Sequence, residues 1–164
     1  MSDAVTLAKL AAGIKLAVFD FDGVFTDNTV WTFGDGKEAV RSWRSDGLGI
    51  AKLKDAGVAV WVLSTEPNPI VKVRCKKLAI NCLTGLSDKK RALEKLVKKL
   101  SVDFARVMYM GNDINDLECI KLVGFPVAVA DGYPEVKRAA KYVTKRPGGF
   151  GAVREICDLI VNSK

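Results

Sequence analysis

Lys15-Leu16-Ala17-Val18-Phe19-Asp20-Phe21-Asp22-Gly23-Val24 decides how this chain is read. An unbroken apolar run, Leu16 to Phe19, ends in two carboxylates one residue apart, followed by a glycine. Short, wholly apolar runs of this kind read as strands buried on both faces, the habit of parallel sheets covered by helices. In open sheets of that class, ligands bind beyond the carboxyl ends of the strands, which is where Asp20 and Asp22 fall.

Outward from that run the same unit recurs. Residues 59–63, 106–110 and 127–129 read as further strands, while 47–56, 69–78, 89–100, 113–123, 134–140 and 152–161 carry helical periodicity. The alternation predicts an α/β domain with a doubly wound, Rossmann-like, mostly parallel sheet and helices on both faces. One stretch breaks the rhythm. Large residues alternate on either side of Gly34-Asp35-Gly36, which predicts a β-hairpin inserted at about 29–43, after the first strand. No insertion is large enough for a separate cap domain, so residues 1–164 read as a single domain.

Hydrophobic residues make up 49% and charged residues 27% of the chain, a globular balance, and no apolar run is long enough to span a bilayer. The first ten residues lack the basic start, apolar stretch and cleavage site of an export signal, so a cytoplasmic location is expected. Cys75, Cys82, Cys119 and Cys157 are scattered without zinc-ligand spacing, and there is no histidine to complete a mixed site. They are expected to be reduced and mostly buried. The lack of histidine also removes the usual general base of serine and cysteine hydrolases, leaving carboxylates, lysine or tyrosine for acid–base work.

A net charge of +7 favours anionic partners. Lys89-Lys90-Arg91, Lys95 and Lys98-Lys99 share an amphipathic stretch whose apolar stripe is Leu93, Leu96, Val97 and Leu100, so most of them read as its solvated face. Without interleaved aromatic residues, nucleic acid is not an expected partner.

Asp20 and Asp22 alone could be a turn or a helix cap. The later strand ends change that. Ser64-Thr65-Glu66 offers a hydroxyl and backbone N–H groups for phosphate oxygens. Lys89 offers a point charge. Gly111-Asn112-Asp113-Ile114-Asn115-Asp116 offers oxygen ligands for a hard cation such as Mg2+. Each has an ordinary structural explanation, but their joint occurrence at successive strand ends points to a phosphate site.

With these residues in order, the chain resembles the haloacid dehalogenase superfamily: Asp20-Phe21-Asp22-Gly23-Val24 matches its DxD motif, Ser64 its Ser/Thr motif, Lys89 its Lys motif and 111–116 its acidic motif. Within it, the chain most resembles capless phosphatases of 3-deoxy-octulosonate 8-phosphate or of nine-carbon sialic-acid-type 9-phosphates, and the related domain of acylneuraminate cytidylyltransferases. Phe25-Thr26-Asp27, Ser45-Asp46-Gly47-Leu48-Gly49-Ile50, Val129-Ala130-Asp131 and residues 148–155 carry that finer likeness.

The resemblance implies a magnesium-dependent phosphatase. Asp20 would be the nucleophile and Asp22 the acid and base; Ser64 and Lys89 would hold the phosphate. The metal would meet Asp20, the Asp22 carbonyl and Asn112, with Asp113 as a possible further ligand. Asn112 departs from many relatives, which carry aspartate there, so weaker metal binding is expected. Glu66 and Lys77 match the sialic-acid-type group, where octulosonate phosphatases usually carry arginine at the Glu66 position. The expected substrate is therefore a nine-carbon 2-keto-3-deoxy sugar acid 9-phosphate, with Arg74 near its carboxylate and the eight-carbon 8-phosphate as the alternative. The resemblance also implies a homotetramer associating through the hairpins, with residues 148–155 as a mobile flap. A weakly active domain that assembles a cytidylyltransferase is the rival from another class.

Overall fold

The computed structural model describes residues 3–164. Met1 and Ser2, which open the segment read for an export signal, lie outside them. In chain order, α1 (Asp3–Ala12) leads into β1 (Leu16–Phe19); β2 (Trp31–Thr32) and β3 (Glu38–Ala39) form the hairpin; α2 (Asp46–Asp55), β4 (Ala59–Leu63), α3 (Ile70–Lys77), β5 (Asn81–Leu83) and α4 (Lys89–Leu100) follow. Then come β6 (Val107–Gly111), α5 (Leu117–Leu122), β7 (Phe125–Ala128), α6 (Pro134–Ala139), β8 (Tyr142–Val143) and α7 (Ala152–Asn162).

The sheet has six strands in the order β5-β4-β1-β6-β7-β8, every neighbouring pair parallel. After β1 the chain winds outward through β4 to β5, then returns to β6 on the other side. The switch point thus lies between β1 and β6. Phe19 pairs in register with Val62 of β4 and Met110 of β6, so Asp20 stands level with the ends of both neighbours.

Successive side chains of a strand point to opposite faces, and β1 divides accordingly. Ala17 and Phe19 enter a core built with Leu53, Val71, Val153 and Ile156, under α2, α3 and α7. Leu16 and Val18 enter a second core with Leu93, Leu96, Val97 and Ile120, under α4 and α5. Helix α4 begins at an Asp88 carboxylate that accepts from the Arg91 N–H, 2.9 Å away, a cap that satisfies an orphan donor of the first turn.

Three elements go unread in the sequence: α1, the edge strand β5 and the two-residue β8. The expected helix at 113–123 is divided, because a 3-10 turn at Ile114–Asp116 precedes α5. The hairpin is present, with Trp31 opposite Ala39 and Gly36 at φ +81 in its turn, but its paired length is only two residues per strand. Cys75, Cys119 and Cys157 are buried and Cys82 half-buried, all four as free thiols. Among the described residues no helix is long and apolar enough to cross a membrane.

Candidate active site

Beyond the ends of β1 and β6 the sheet presents a buried charge cluster. Lys89, at the first turn of α4, lies with its Nζ 2.7 Å from Asp20 Oδ1 and 2.8 Å from Asp116 Oδ1. All three side chains are at least nine-tenths buried. Asp116 is further held by the Tyr109 hydroxyl, which donates to its Oδ1 at 2.7 Å, and by the Asn112 N–H, which donates to its Oδ2 at 3.0 Å. The Phe21 N–H donates to Asp20 Oδ1 at 2.7 Å. Two carboxylates against one ammonium leave a net negative charge in a low-dielectric place, so a further cation is needed to keep both ionised.

The protonation tendencies agree. Burial pushes the Asp20 carboxyl up to about 8, and Asp116 adds to the rise while Lys89 opposes it. Burial alone would lower the Lys89 ammonium, but Asp20 and Asp116 outweigh it and hold the group above its ordinary value. Lys89 therefore stays charged, and the ionisation of Asp20 awaits more positive charge.

A place for that charge lies on the other side of Asp20. One terminal atom of the Asn112 carboxamide stands 3.0 Å from the Asp22 carbonyl oxygen and 3.2 Å from Asp20 Oδ2. With the amide nitrogen there, it donates to both oxygens. With the amide oxygen there, three oxygens converge, an arrangement that a bound cation would stabilise. Carboxylate, carbonyl and amide oxygens are the donor set of a hard divalent ion, so these residues fit magnesium. Among the described residues no group of three or more His, Cys, Asp or Glu is arranged for a metal; a cradle with one carboxylate lies outside that pattern. Gly23 makes the approach possible. Its φ is +80, and a Cβ there would meet the Asn112 side chain at 2.0 Å.

Asp113 is not in the cradle. Its Oδ1 accepts from the Ile114 N–H at 2.6 Å and, with Asp116, forms a capping box around the 3-10 turn. The local hydrogen bond turns this carboxylate to the turn, and Asn112 occupies the position beside Asp20.

Asp22 is half-buried and shares a cavity of about 190 Å³ with Glu66 and with Glu38 of β3. Burial, then the negative charge of Glu66, raise the Asp22 carboxyl above its ordinary value, with Lys89 and Thr26 opposing. Asn68 fixes the surrounding acids: its N–H donates to Glu66 at 2.8 Å and its side-chain amide to Glu38 at 2.9 Å. Ser64 is buried at the end of β4, its hydroxyl oxygen accepting from the Glu66 N–H at 3.1 Å. Helix α3 starts only at Ile70, so Ser64 leads into a loop, in which the Glu66 N–H is already engaged.

Arg74 and Lys77 are not brought into that cavity. They line an adjoining one of about 170 Å³, and Val40 and Ile70 form the wall common to both. Arg74 donates to the Trp43 carbonyl at 3.3 Å. The segment expected as a mobile flap is pinned: the Gly148 N–H donates to Asp131 at 2.8 Å and the Gly149 N–H to the Val24 carbonyl at 3.1 Å. A Cβ at Gly148 would lie 1.9 Å from the Gly23 carbonyl oxygen, so close packing under the DxD loop, rather than mobility, accounts for the glycines.

Sequence reasoning missed Tyr109, Asn68 and Glu38, and quoted Thr26 without a role. Thr26 is buried and accepts from the Gly23 N–H at 3.1 Å, fixing the loop that carries Asp22. A tyrosine inside an otherwise apolar central strand was the available signal for Tyr109, because its hydroxyl needs an internal partner.

A doubly wound sheet with a nucleophile-like aspartate, a lysine and a cation cradle at its switch point defines a phosphate-ester hydrolase. The model of the haloacid dehalogenase-like hydrolases matches residues 66–154. The 3-deoxy-D-manno-octulosonate 8-phosphate phosphatase KdsC of Escherichia coli is 36% identical over 152 residues, covering 92% of this chain and 81% of that protein. A protein from Streptomyces avermitilis assigned to the HAD family of hydrolases is 47% identical at a TM-score of 0.89, with 91% of this chain and 86% of that one covered. The 3-deoxy-D-manno-octulosonate 8-phosphate phosphatase of Moraxella catarrhalis, in complex with magnesium ion, phosphate ion and KDO, superposes at a TM-score of 0.94 with 32% identity, over 97% of this chain and 92% of that one. This chain belongs to the haloacid dehalogenase-like hydrolases, and to the phosphatases among them.

Proposed function

We propose that this protein is a magnesium-dependent phosphatase of a 2-keto-3-deoxy sugar acid phosphate, working through an aspartyl-phosphate on Asp20. The observation that carries the reading is the position of Asp20, with Lys89 on one carboxylate oxygen and the three-oxygen cradle on the other. Asp20 Oδ2, the Asp22 carbonyl and the Asn112 amide oxygen would hold magnesium, which offsets the charge of the phosphoryl group when bound. Asp20 attacks phosphorus as the bond to the sugar oxygen breaks. Asp22, whose carboxyl burial and the charge of Glu66 raise above its ordinary value, gives its proton to that oxygen. It then takes a proton from the water that hydrolyses the aspartyl-phosphate. Ser64 and Lys89 hold the transferring oxygens. Asp116 and Tyr109 position Lys89 without touching substrate.

We assign the preferred substrate to the nine-carbon 9-phosphates of the sialic-acid type, such as the deaminated acid or N-acetylneuraminate 9-phosphate. Glu66 supports this, because it lies beside Asp22, where the leaving sugar must sit. Arg74 and Lys77 would meet the far carboxylate once Val40 and Ile70 part. The second reading, the eight-carbon 8-phosphate, is favoured by the octulosonate phosphatases among the relatives. A homotetramer is part of the proposal, since Val30, Trp31 and Phe33 leave the hairpin tip apolar and more than half exposed.

The test is phosphate release from eight- and nine-carbon acid phosphates, with and without magnesium, in the wild type and in Asp20→Asn. We expect metal-dependent turnover, highest on a nine-carbon ester and lost in the variant. Higher kcat/KM on the eight-carbon ester overturns the Glu66 assignment, and substantial activity in a folded Asp20→Asn overturns the nucleophile. Robust wild-type turnover eliminates the reading as a purely assembling domain.

A further inference from the structure

A surface cavity of about 560 Å³ lies away from the active site, between α4 and the edge strand β5. Its origin is topological. In the register of β4 and β5, Trp61, Leu63 and Leu83 all point to the face that α4 covers. Helix α4 packs its apolar stripe on Leu63 and the strands beyond, and among the described residues no further helix covers the β5 end of that face. Trp61 stays half-exposed and Leu83 exposed, with Leu86 and Leu96 closing the floor.

Arg91, Lys95 and Lys99 form the rim on the α4 side. They recur every four residues, so their side chains follow one flank of the helix over about 12 Å. All three are exposed, and none forms a salt bridge with a carboxylate among the described residues. Lys99 extends over the Trp61 ring, 5.9 Å from its centroid. A solvated helix flank would give the charges without the aromatic floor. Here a cation row borders an apolar hollow of the size that holds a small ligand.

The far wall of the groove leads to the catalytic loops. Residues 85–88 line it and run directly into Lys89. Within that segment the Leu86 N–H donates to the Ser64 carbonyl and the Gly85 N–H to the Glu66 carbonyl, both at 3.1 Å, while the Ser64 N–H donates to Leu83 at 2.9 Å. The hairpin packs with the core on the other face, through Val40, so hairpin-mediated association would leave the groove open.

We propose that this groove is a second binding site, for a small anion with a planar apolar body. The ring system lies on Trp61 and Leu86, and the anionic group meets Lys95 and Lys99, with Arg91 at the end nearer the active site. Occupancy fixes residues 85–88 and thereby alters phosphatase turnover. Aryl sulfonates, aryl phosphates and nucleotides share the required chemistry.

The probe is 8-anilinonaphthalene-1-sulfonate, whose sulfonate is not a phosphate ester and is not consumed. Its binding is followed by calorimetry and by energy transfer from tryptophan, with circular dichroism to confirm folding of each variant. We expect one saturable site that Lys95→Glu/Lys99→Glu weakens at least tenfold, while Lys76→Glu/Lys121→Glu, which makes the same charge change elsewhere, alters it less than twofold. Nucleoside monophosphates are expected to displace the probe, whereas inorganic phosphate at equal concentration is not. At saturating probe, kcat or KM on the best sugar phosphate should change at least twofold in the wild type and not in Lys95→Glu/Lys99→Glu. Binding that survives the double reversal, displacement by phosphate alone, or no binding overturns the site. Binding without a kinetic change, or with the same change in both proteins, overturns the link to the active site.

Discussion

Replacing Asn112 with aspartate tests the cation cradle more directly than any loss of activity. In Asn112→Asp the new carboxylate would place an oxygen about where the amide atom now stands, 3.2 Å from Asp20 Oδ2 and 3.0 Å from the Asp22 carbonyl. Two unit charges at that separation repel by about 5 kcal/mol at an effective dielectric of about 20. Burial already holds Asp20 towards its neutral form without metal, so the cost falls on the new carboxyl, and protonating that group at pH 7 limits the penalty to roughly 4 kcal/mol, from about three pKa units at 1.36 kcal/mol each. For a chain of this length each kcal/mol lowers Tm by about 2–4 °C. Without divalent cation, Asn112→Asp should therefore melt roughly 8–16 °C below wild type. Added magnesium should reverse this, because a ligand that binds only the folded state stabilises it in proportion to ln(1 + [L]/Kd). The assay is thermal unfolding across a magnesium series in the presence and absence of chelator, with the magnesium midpoint of phosphate release measured alongside. We expect the variant's midpoint to fall several-fold as its metal-free Tm falls. An unchanged Tm in chelator, together with an unchanged or higher midpoint, would refute both the position of Asn112 and its role as ligand.

Lys89→Met removes the ammonium between Asp20 and Asp116; we expect a loss of at least 10³ in kcat/KM that added magnesium does not restore, and a variant retaining a tenth of wild-type activity would contradict the assignment. Tyr109→Phe withdraws the hydroxyl donor from Asp116 Oδ1 and should destabilise by about 1–3 kcal/mol in urea unfolding; kcat should fall while KM holds, whereas a change in stability alone would make Tyr109 a packing residue. The pH dependence of stability should reflect Asp46, whose carboxyl burial pushes up to about 6 although the Arg154 N–H and the charges of Arg74, Arg154 and Arg146 oppose the rise. Because the folded value lies above the ordinary 3.8 of an aspartate, the group's contribution is fully present below about pH 4 and is lost as pH rises through 6. Asp46→Asn keeps an acceptor for the Arg154 N–H and should be more stable than wild type by about 1–3 kcal/mol at pH 8 but equal to it near pH 4; parallel urea midpoints across that range would rule this out.

The sheet was legible where strands are buried on both faces. Apolar runs such as Leu16–Phe19 and Ala59–Leu63 admit few readings, and the winding order follows from their alternation with amphipathic segments. Strand β5 escaped notice because Asn81-Cys82-Leu83 lies at an edge, is not buried, and joins the sheet by pairing with β4 rather than by any pattern of its own. Strand β8 is two residues long, and the apolar stripe of α1 is weaker than those of α4 and α7. Propensity is silent where tertiary pairing decides.

The site divides along the same line. Asp20, Lys89 and the 111–116 segment could be found from the sequence because each follows a strand or opens a helix, where the backbone fixes direction. The partition between Asn112 and Asp113 could not, since both offer oxygens and only the capping box assigns one to the turn and leaves the other for the cradle. The resemblance groups Lys77 with Glu66 and sets Arg74 near the sugar carboxylate, yet the helix starts four residues after Glu66 and carries both behind Val40 and Ile70. Those two apolar residues stand between Asp22, the proposed acid, and the cations proposed to read the far end of the substrate. Chain-length preference, on this geometry, rests on how that partition yields to a long substrate as much as on the identity of residue 66.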